Sequence, residues 1–330
     1  MNTKQILELA TELGIKSDLR GSDKVYQNLN RLQKQFDKLP EDKKAKFDQE
    51  KLTDPYRDSG AHFDSGREVN TVKAGIDIDT AELMLAKQEG DVDLVIAHHP
   101  VGKSLANLSD VMDIQAEILS QYGVPINIAQ GVLKLRIDEV ARGINPINHY
   151  KTVDTAQGLN MSFINVHTPT DNLVASFLRK EIEHANFTYV SEIMEVLNKI
   201  PEYQEAQKRG FGPRLFAGSE ENYCGKIAIT EVTGGTSGSP KMYEKMAAAG
   251  IGTVIGMHMS EEHKKEAEKN HINVIIAGHI SSDSLGMNLF LDELERQGIK
   301  VKSCSGLIRV NRLVQSILKK FLSVIDCDIQ

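Results

Sequence analysis

Asp93-Leu94-Val95-Ile96-Ala97-His98-His99-Pro100 decides how the rest of the chain is read. An apolar run of strand length, Leu94 to Ala97, ends in two adjacent imidazoles. Pro100 holds His99 to extended or turn backbone and stops the strand there. Two later stretches repeat the arrangement. Phe163-Ile164-Asn165-Val166 leads into His167, with Asp171 four residues on. Val274-Ile275-Ile276-Ala277-Gly278 leads into His279, with Asp283 four residues on.

Working outward from these runs, the pattern predicts an α/β fold. Strands are expected at 72–78, 93–97, 124–129, 160–166, 226–232, 252–255 and 272–277. Helices are expected at 79–87, 109–122, 132–144, 171–184, 191–199, 202–208, 239–249, 260–270 and 284–297. Alternation of this kind builds sheets with helices on their faces. Residues 1–70 have a different texture and form a helical N-terminal extension. Its first helix, carrying Ile6, Leu9, Ala10 and Leu13, is expected to stop at Gly14. Residues 53–67 and 210–225 read as loops. The division that follows is extension 1–70, first α/β block 71–185, helical and loop connector 186–225, and second α/β block 226–330. The second block ends in an amphipathic helix carrying Leu313, Ile317, Leu318, Phe321, Leu322 and Ile325.

Ligands of α/β sheets bind where strands end, and all three histidine-bearing stretches lie at such ends. A lone histidine there is ordinarily a surface residue, and an aspartate before a helix ordinarily caps it. Three coincident cases point to one shared metal site, with Asp171 and Asp283 bridging two ions or each holding one. Histidine and aspartate four apart share one helical face. Imidazole with carboxylate suits Zn, Mn, Fe, Co or Ni. Two such ions would activate water and polarise a carbonyl or phosphoryl oxygen. Thr233-Gly234-Gly235-Thr236-Ser237-Gly238-Ser239 lies between a strand and a helix. It is either an anion-binding turn, through Gly234, Gly235, Ser237 and Gly238, or a tight packing turn. His258, His263 and His271 are expected to be solvated.

The chain has 330 residues and a net charge of -7, from 46 acidic and 39 basic residues, which argues against non-specific nucleic-acid binding. Three scattered cysteines, Cys224, Cys304 and Cys327, suggest reduced thiols rather than a disulfide framework. No run approaches a membrane span and the start lacks an apolar core. The expectation is a cytoplasmic protein that does not enter the membrane.

The stretches 93–100, Val166-His167-Thr168-Pro169-Thr170-Asp171, Gly234–Ser239 and Ala277-Gly278-His279, with Gly75-Ile76-Asp77, together resemble the Ngg-interacting-factor-three-like proteins. These are also labelled GTP cyclohydrolase I type 2 homologues. The resemblance spans 72–286. It implies two interleaved α/β repeats with mixed sheets, a dinuclear metal centre and a ring-like homohexamer. By that resemblance His98, His99, Asp171, His279 and Asp283 are the ligands, and His167 either supports them from behind or faces the substrate; in a hydrolytic reading it is the candidate proton shuttle. The family carries Glu where this chain has Asp283, and the stretch 124–160 is longer than its pattern, which implies an extra element. The function implied is metal-dependent hydrolysis of a nucleotide or a phosphorylated or cyclic small molecule. The alternative is a non-catalytic metal-binding scaffold, metallochaperone or regulatory partner.

Overall fold

A computed structural model describes residues 1–183 and 185–313. Nine strands in two mixed sheets lie among these described residues. In chain order they are β1 (Gly60–Phe63), β2 (Thr71–Gly75), β3 (Leu94–Ala97), β4 (Ser162–Asn165), β5 (Arg214–Ala217), β6 (Lys226–Ile229), β7 (Ile251–Gly256), β8 (Asn273–Ile276) and β9 (Lys300–Cys304). The first sheet runs β1-β4-β3-β2-β9 and the second β5-β8-β7-β6. The α/β class and the mixed sheets are as expected.

The two sheets are built the same way. With β9 set aside, each has three parallel strands flanked by one antiparallel edge strand, β1 on β4 or β5 on β8. The register matches as well. Val166 N–H donates to the Ala97 carbonyl, and Ala277 N–H donates to the Gly256 carbonyl. Ala97 and Gly256 therefore hold the same place in the two sheets. β9 breaks the symmetry: it follows the second block but pairs in parallel with β2 of the first sheet. The halves are interleaved through it.

β2 and β3 are buried at every position, because helices cover both faces of a parallel sheet. This is why β3 reads as an unbroken apolar run. On one face, Val72, Ala74, Leu94, Ile96, Ile164, Phe290 and Leu294 form a common core with Ile6 and Ala10 of the first helix. On the other, Val95, Ala97 and Phe163 pack with Leu83 and Ala86.

Several local expectations are corrected. The segments 53–67 and 210–225 contain β1 and β5, edge strands too short to show periodicity. The expected strand 124–129 is the start of a long helix, Ile126–Ile144, entered through Pro125. A further helix, Lys151–Leu159, fills the extra length before β4. The first helix, Thr3–Ser17, runs past Gly14, which instead allows close approach to Pro169. The helix after β8 begins at His279, five residues before the expected start. Of the expected C-terminal amphipathic helix, everything after Leu313 lies outside the described residues.

Candidate metal centre

The three strand-end stretches converge. His98 and His99 follow β3, while His167 and Asp171 open the helix Thr168–Glu183 after β4. His279 and Asp283 lie on the first turns of the helix His279–Arg296 after β8. In both HxxxD stretches the carboxylate sits one turn beyond its histidine. Asp283 is thus a helix-interior residue and not a cap.

Backbone and side-chain partners fix how each ring is turned. His98 Nδ1 lies 3.2 Å from the Val166 carbonyl and 3.0 Å from Thr170 Oγ1. A carbonyl only accepts, so Nδ1 carries the proton and Nε2 presents a lone pair. That lone pair faces Asp171 Oδ1 at 3.4 Å and Asp283 Oδ1 at 3.5 Å. His99 Nδ1 is held by Asp77 Oδ1 at 2.6 Å, which turns His99 Nε2 toward Asp283 Oδ2 at 3.3 Å. His279 Nε2 reaches the same oxygen at 3.5 Å. Each oxygen of Asp283 thus faces different imidazoles.

His98 Nε2, Asp171 Oδ1 and both oxygens of Asp283 are buried without a hydrogen-bond partner among the described residues. Orphaned acceptors of this kind are costly unless something is bound between them. Imidazole nitrogen and carboxylate oxygen gathered in this way are the donor set a divalent cation takes. His98, Asp171 and Asp283 offer ligand atoms within 4.8 Å of one another, and so do His99, His279 and Asp283. Asp283 belongs to both groups. The residues present therefore fit a divalent metal, and the aspartate reaches its neighbours despite being one methylene shorter than glutamate.

Burial and neighbouring charges divide protonation unevenly within the cluster. Burial drives the His98 imidazole well below its usual range and the Asp171 carboxyl well above its own. Burial also opposes charge on His99, but Asp283 and Asp77 outweigh it and push that imidazole up to about 10. Burial pushes Asp283 up as well, yet the facing imidazoles of His98, His99 and His279 hold it at about 2. Since His98 stays neutral, His99 is the charged partner of Asp283.

His167 stands beside this group, its ring centre 4.9 Å from that of His98. Its Nδ1 lies 2.7 Å from Asp58 Oδ2, a fully buried carboxylate that also accepts from Thr168 Oγ1. Burial works against protonation of His167, but Asp171 and Asp58 reverse the balance and raise it. His98, His99 and His167 also form a group with ligand atoms within 4.8 Å of one another.

A narrow cleft lies between His167, Asp171, His279 and Asp283 on one side and Glu231, Thr233, Gly235, Thr236 and His258 on the other. Of the glycine-loop residues, Gly235 lines it. Gly234 is tied through its carbonyl to Gln115, and the Gly238 amide donates to Glu231. Ser237 Oγ lies 2.7 Å from His258 Nδ1.

The expectation of solvated histidines fails twice. His263 is buried between Ser260 Oγ and the Gly238 carbonyl. His258 lines the cleft, its ring 5.2 Å from His279. It lies two residues beyond Gly256, as His99 lies two beyond Ala97, so comparing the two halves would have found it. Asp58, which anchors His167, lay in a stretch read as loop.

No helix among the described residues is long and apolar enough to cross a membrane. Cys224 and Cys304 are free thiols. No curated protein matches this chain. Among solved structures, a NIF3 superfamily protein from Sphaerobacter thermophilus is 26% identical with a TM-score of 0.75, covering 93% of this chain and 99% of that one. Reduced HcgD from Methanocaldococcus jannaschii is 16% identical, with a TM-score of 0.47 over 72% of this chain and 84% of that one. TTHA1606 from Thermus thermophilus is 15% identical, with a TM-score of 0.43 over 74% of this chain and 86% of that one. The sequence pattern of one family matches residues 44–306, four-fifths of the chain, and by that match this chain belongs to the Duf34/NIF3 (NGG1p interacting factor 3) family.

Proposed function

We propose that this chain is a metal-dependent hydrolase that holds two divalent ions through His98, His99, Asp171, His279 and Asp283. Its substrate in this reading is a nucleotide or another phosphorylated or cyclic small molecule, and the working form is a cytoplasmic homohexamer. One observation carries the reading: four buried acceptor atoms, His98 Nε2, Asp171 Oδ1 and both Asp283 oxygens, converge with no partner among the described residues. Divalent ions bound there would lower the pKa of water and withdraw charge from a phosphoryl or carbonyl oxygen.

The chain's own groups supply the rest. Asp77 and the Val166 carbonyl fix the tautomers of His99 and His98, so that each presents Nε2 inward. Asp58 holds His167 at Nδ1 and leaves Nε2 as the nitrogen that takes a proton from attacking water. Gly235 and Thr236 face the substrate from the opposite wall.

The test is elemental analysis of freshly purified and Mn- or Zn-reconstituted protein, followed by a panel of phosphoesters and nucleotides. The expected result is about two ions per chain, turnover of at least one substrate, and loss of turnover in Asp171→Ala. Fewer than about one ion per chain, unchanged by His98→Ala, overturns the metal site. Full metal with no turnover across the panel overturns catalysis and leaves a metal-binding scaffold or metallochaperone. Light scattering decides the assembly, with six chain masses expected.

A further inference from the structure

Glu231 is a largely buried carboxyl that the reading above leaves unused. It stands two residues beyond β6, as Asp77 stands two residues beyond β2. Asp77 is engaged with His99 at 2.6 Å, whereas the imidazole beside Glu231, that of His263, stands off at 3.9 Å. Its φ of +56° is a left-handed backbone that residues other than glycine adopt only when their surroundings impose it, and such positions cluster at functional sites. The side chain is 12% exposed and lines the same cleft as His167, Asp171, His279 and Asp283.

The surroundings hold the carboxyl but do not pair it with a cation. Oε1 accepts the Gly238 amide at 3.1 Å. A Cβ on Gly238 would come within 2.9 Å of that oxygen, so the glycine admits the carboxyl. Oε2 makes no hydrogen bond among the described residues. Arg136 on the helix Ile126–Ile144 faces Glu231, but its guanidinium pairs with Glu139 and the Ser237 carbonyl. Tyr243 faces it from the helix Met242–Ala248. His263, from the helix Glu261–Lys269, lies 3.9 Å from Oε1, and burial lowers its basicity. Burial therefore pushes the Glu231 carboxyl up to about 7, against the Gly238 amide and Arg136. A proton carrier works best when its pKa lies near the working pH.

We propose that Glu231 is the proton donor to the leaving group, an assignment that rests on the hydrolytic reading above. Water oxygen bonds to the phosphorus and the bond from phosphorus to the leaving oxygen breaks. The Glu231 proton passes to that oxygen, and the water proton passes to His167. Exchange with solvent then resets both groups. Ester and water give acid and alcohol with no further reactant.

The test compares the Mn-reconstituted full chain with Glu231→Gln on two esters. p-Nitrophenyl phosphate releases a phenolate that needs no proton; β-glycerophosphate releases an alkoxide that does. The variant is expected to keep its Mn and its p-nitrophenyl phosphate turnover and to lose roughly 100-fold or more on β-glycerophosphate. Equal effects on both esters overturn the assignment while leaving hydrolysis intact. A wild type inactive on both esters and on the nucleotide panel removes the hydrolytic reading and the donor role with it.

Thermal unfolding of the metal-free proteins adds a readout that needs no turnover. An acid whose pKa is raised on folding contributes stability below its unfolded value of 4.5, and this is lost as pH rises through about 7. The Tm of wild type should therefore fall by several degrees relative to Glu231→Gln between pH 5 and pH 8. A constant difference overturns the assignment.

Discussion

Asp283 illustrates what a single residue contributes here. Its Oδ1 faces His98, its Oδ2 faces both His99 and His279, and the side chain is buried. Asp171→Asn is expected to keep the shape of the pocket and change metal-free stability by less than about 1 kcal/mol, since Oδ1 has no hydrogen bond to lose. Asp283→Asn should cost more, about 1–3 kcal/mol in chemical denaturation, because it strips His99 of a buried counter-charge. Both variants should retain less metal by elemental analysis. At the proposed metal site, ions and protons would compete. His99, pushed up to about 10, must give up its proton to bind an ion through Nε2. Metal affinity should therefore fall as pH is lowered, and adding Mn or Zn to metal-free protein in weak buffer should acidify the solution. Unchanged pH on titration would contradict this. At this scale the sequence was legible where residue type and strand end coincide: the structure brings His98, His99, His167, Asp171, His279 and Asp283 into one cluster. Asp58 and Glu231 were illegible because what marks them is burial, and burial comes from distant parts of the chain.

The elements that carry the two aspartates are held together at one point. In the helix His279–Arg296, a Cβ on Gly286 would lie 2.2 Å from the carbonyl of Thr170, in the first turn of Thr168–Glu183. Gly286 is three residues from Asp283, and Thr170 is the neighbour of Asp171. Gly286→Ala should push the helices apart, costing about 1–3 kcal/mol and lowering metal content together. Loss of stability with full metal retention would mean the helices reach the site independently of that contact. Helices and strands with apolar faces were legible, yet the start of this helix was not. Ser284 resembles an N-cap, whereas the helix begins at His279 because the chain leaving β8 turns at Gly278, with φ +104°. Residues 124–129 misled for a related reason: Val124, Ile126 and Ile128 alternate as in a strand, but packing of Ala129 and Leu133 into the large core fixes a helix.

For the whole molecule, the informative feature is the doubled sheet plan with one strand out of place. Strand order and register match between the two sheets, although the proposed ligands fall unevenly on the two halves. β9 was not legible, since Lys300–Cys304 is short, half-exposed and distant in sequence from its partner. Deleting 299–313 should uncover the outer side of β2 and remove Ile299 and Leu307 from the core. The expected outcome is loss of a single cooperative unfolding transition and aggregation, read by calorimetry and size-exclusion chromatography. This strand exchange also bears on how the protein is made. Gly75 and Cys304 are 229 residues apart. A ribosome adding about 5–20 residues per second leaves β2 waiting roughly 10–45 s for its neighbour. The first half emerges from the ribosome with an open sheet edge, and Asp283, the last of the proposed ligands, is translated only shortly before the strand that closes it. Nascent chains are thus exposed to edge-to-edge association throughout that interval, and the proposed metal site is complete only when translation nearly is.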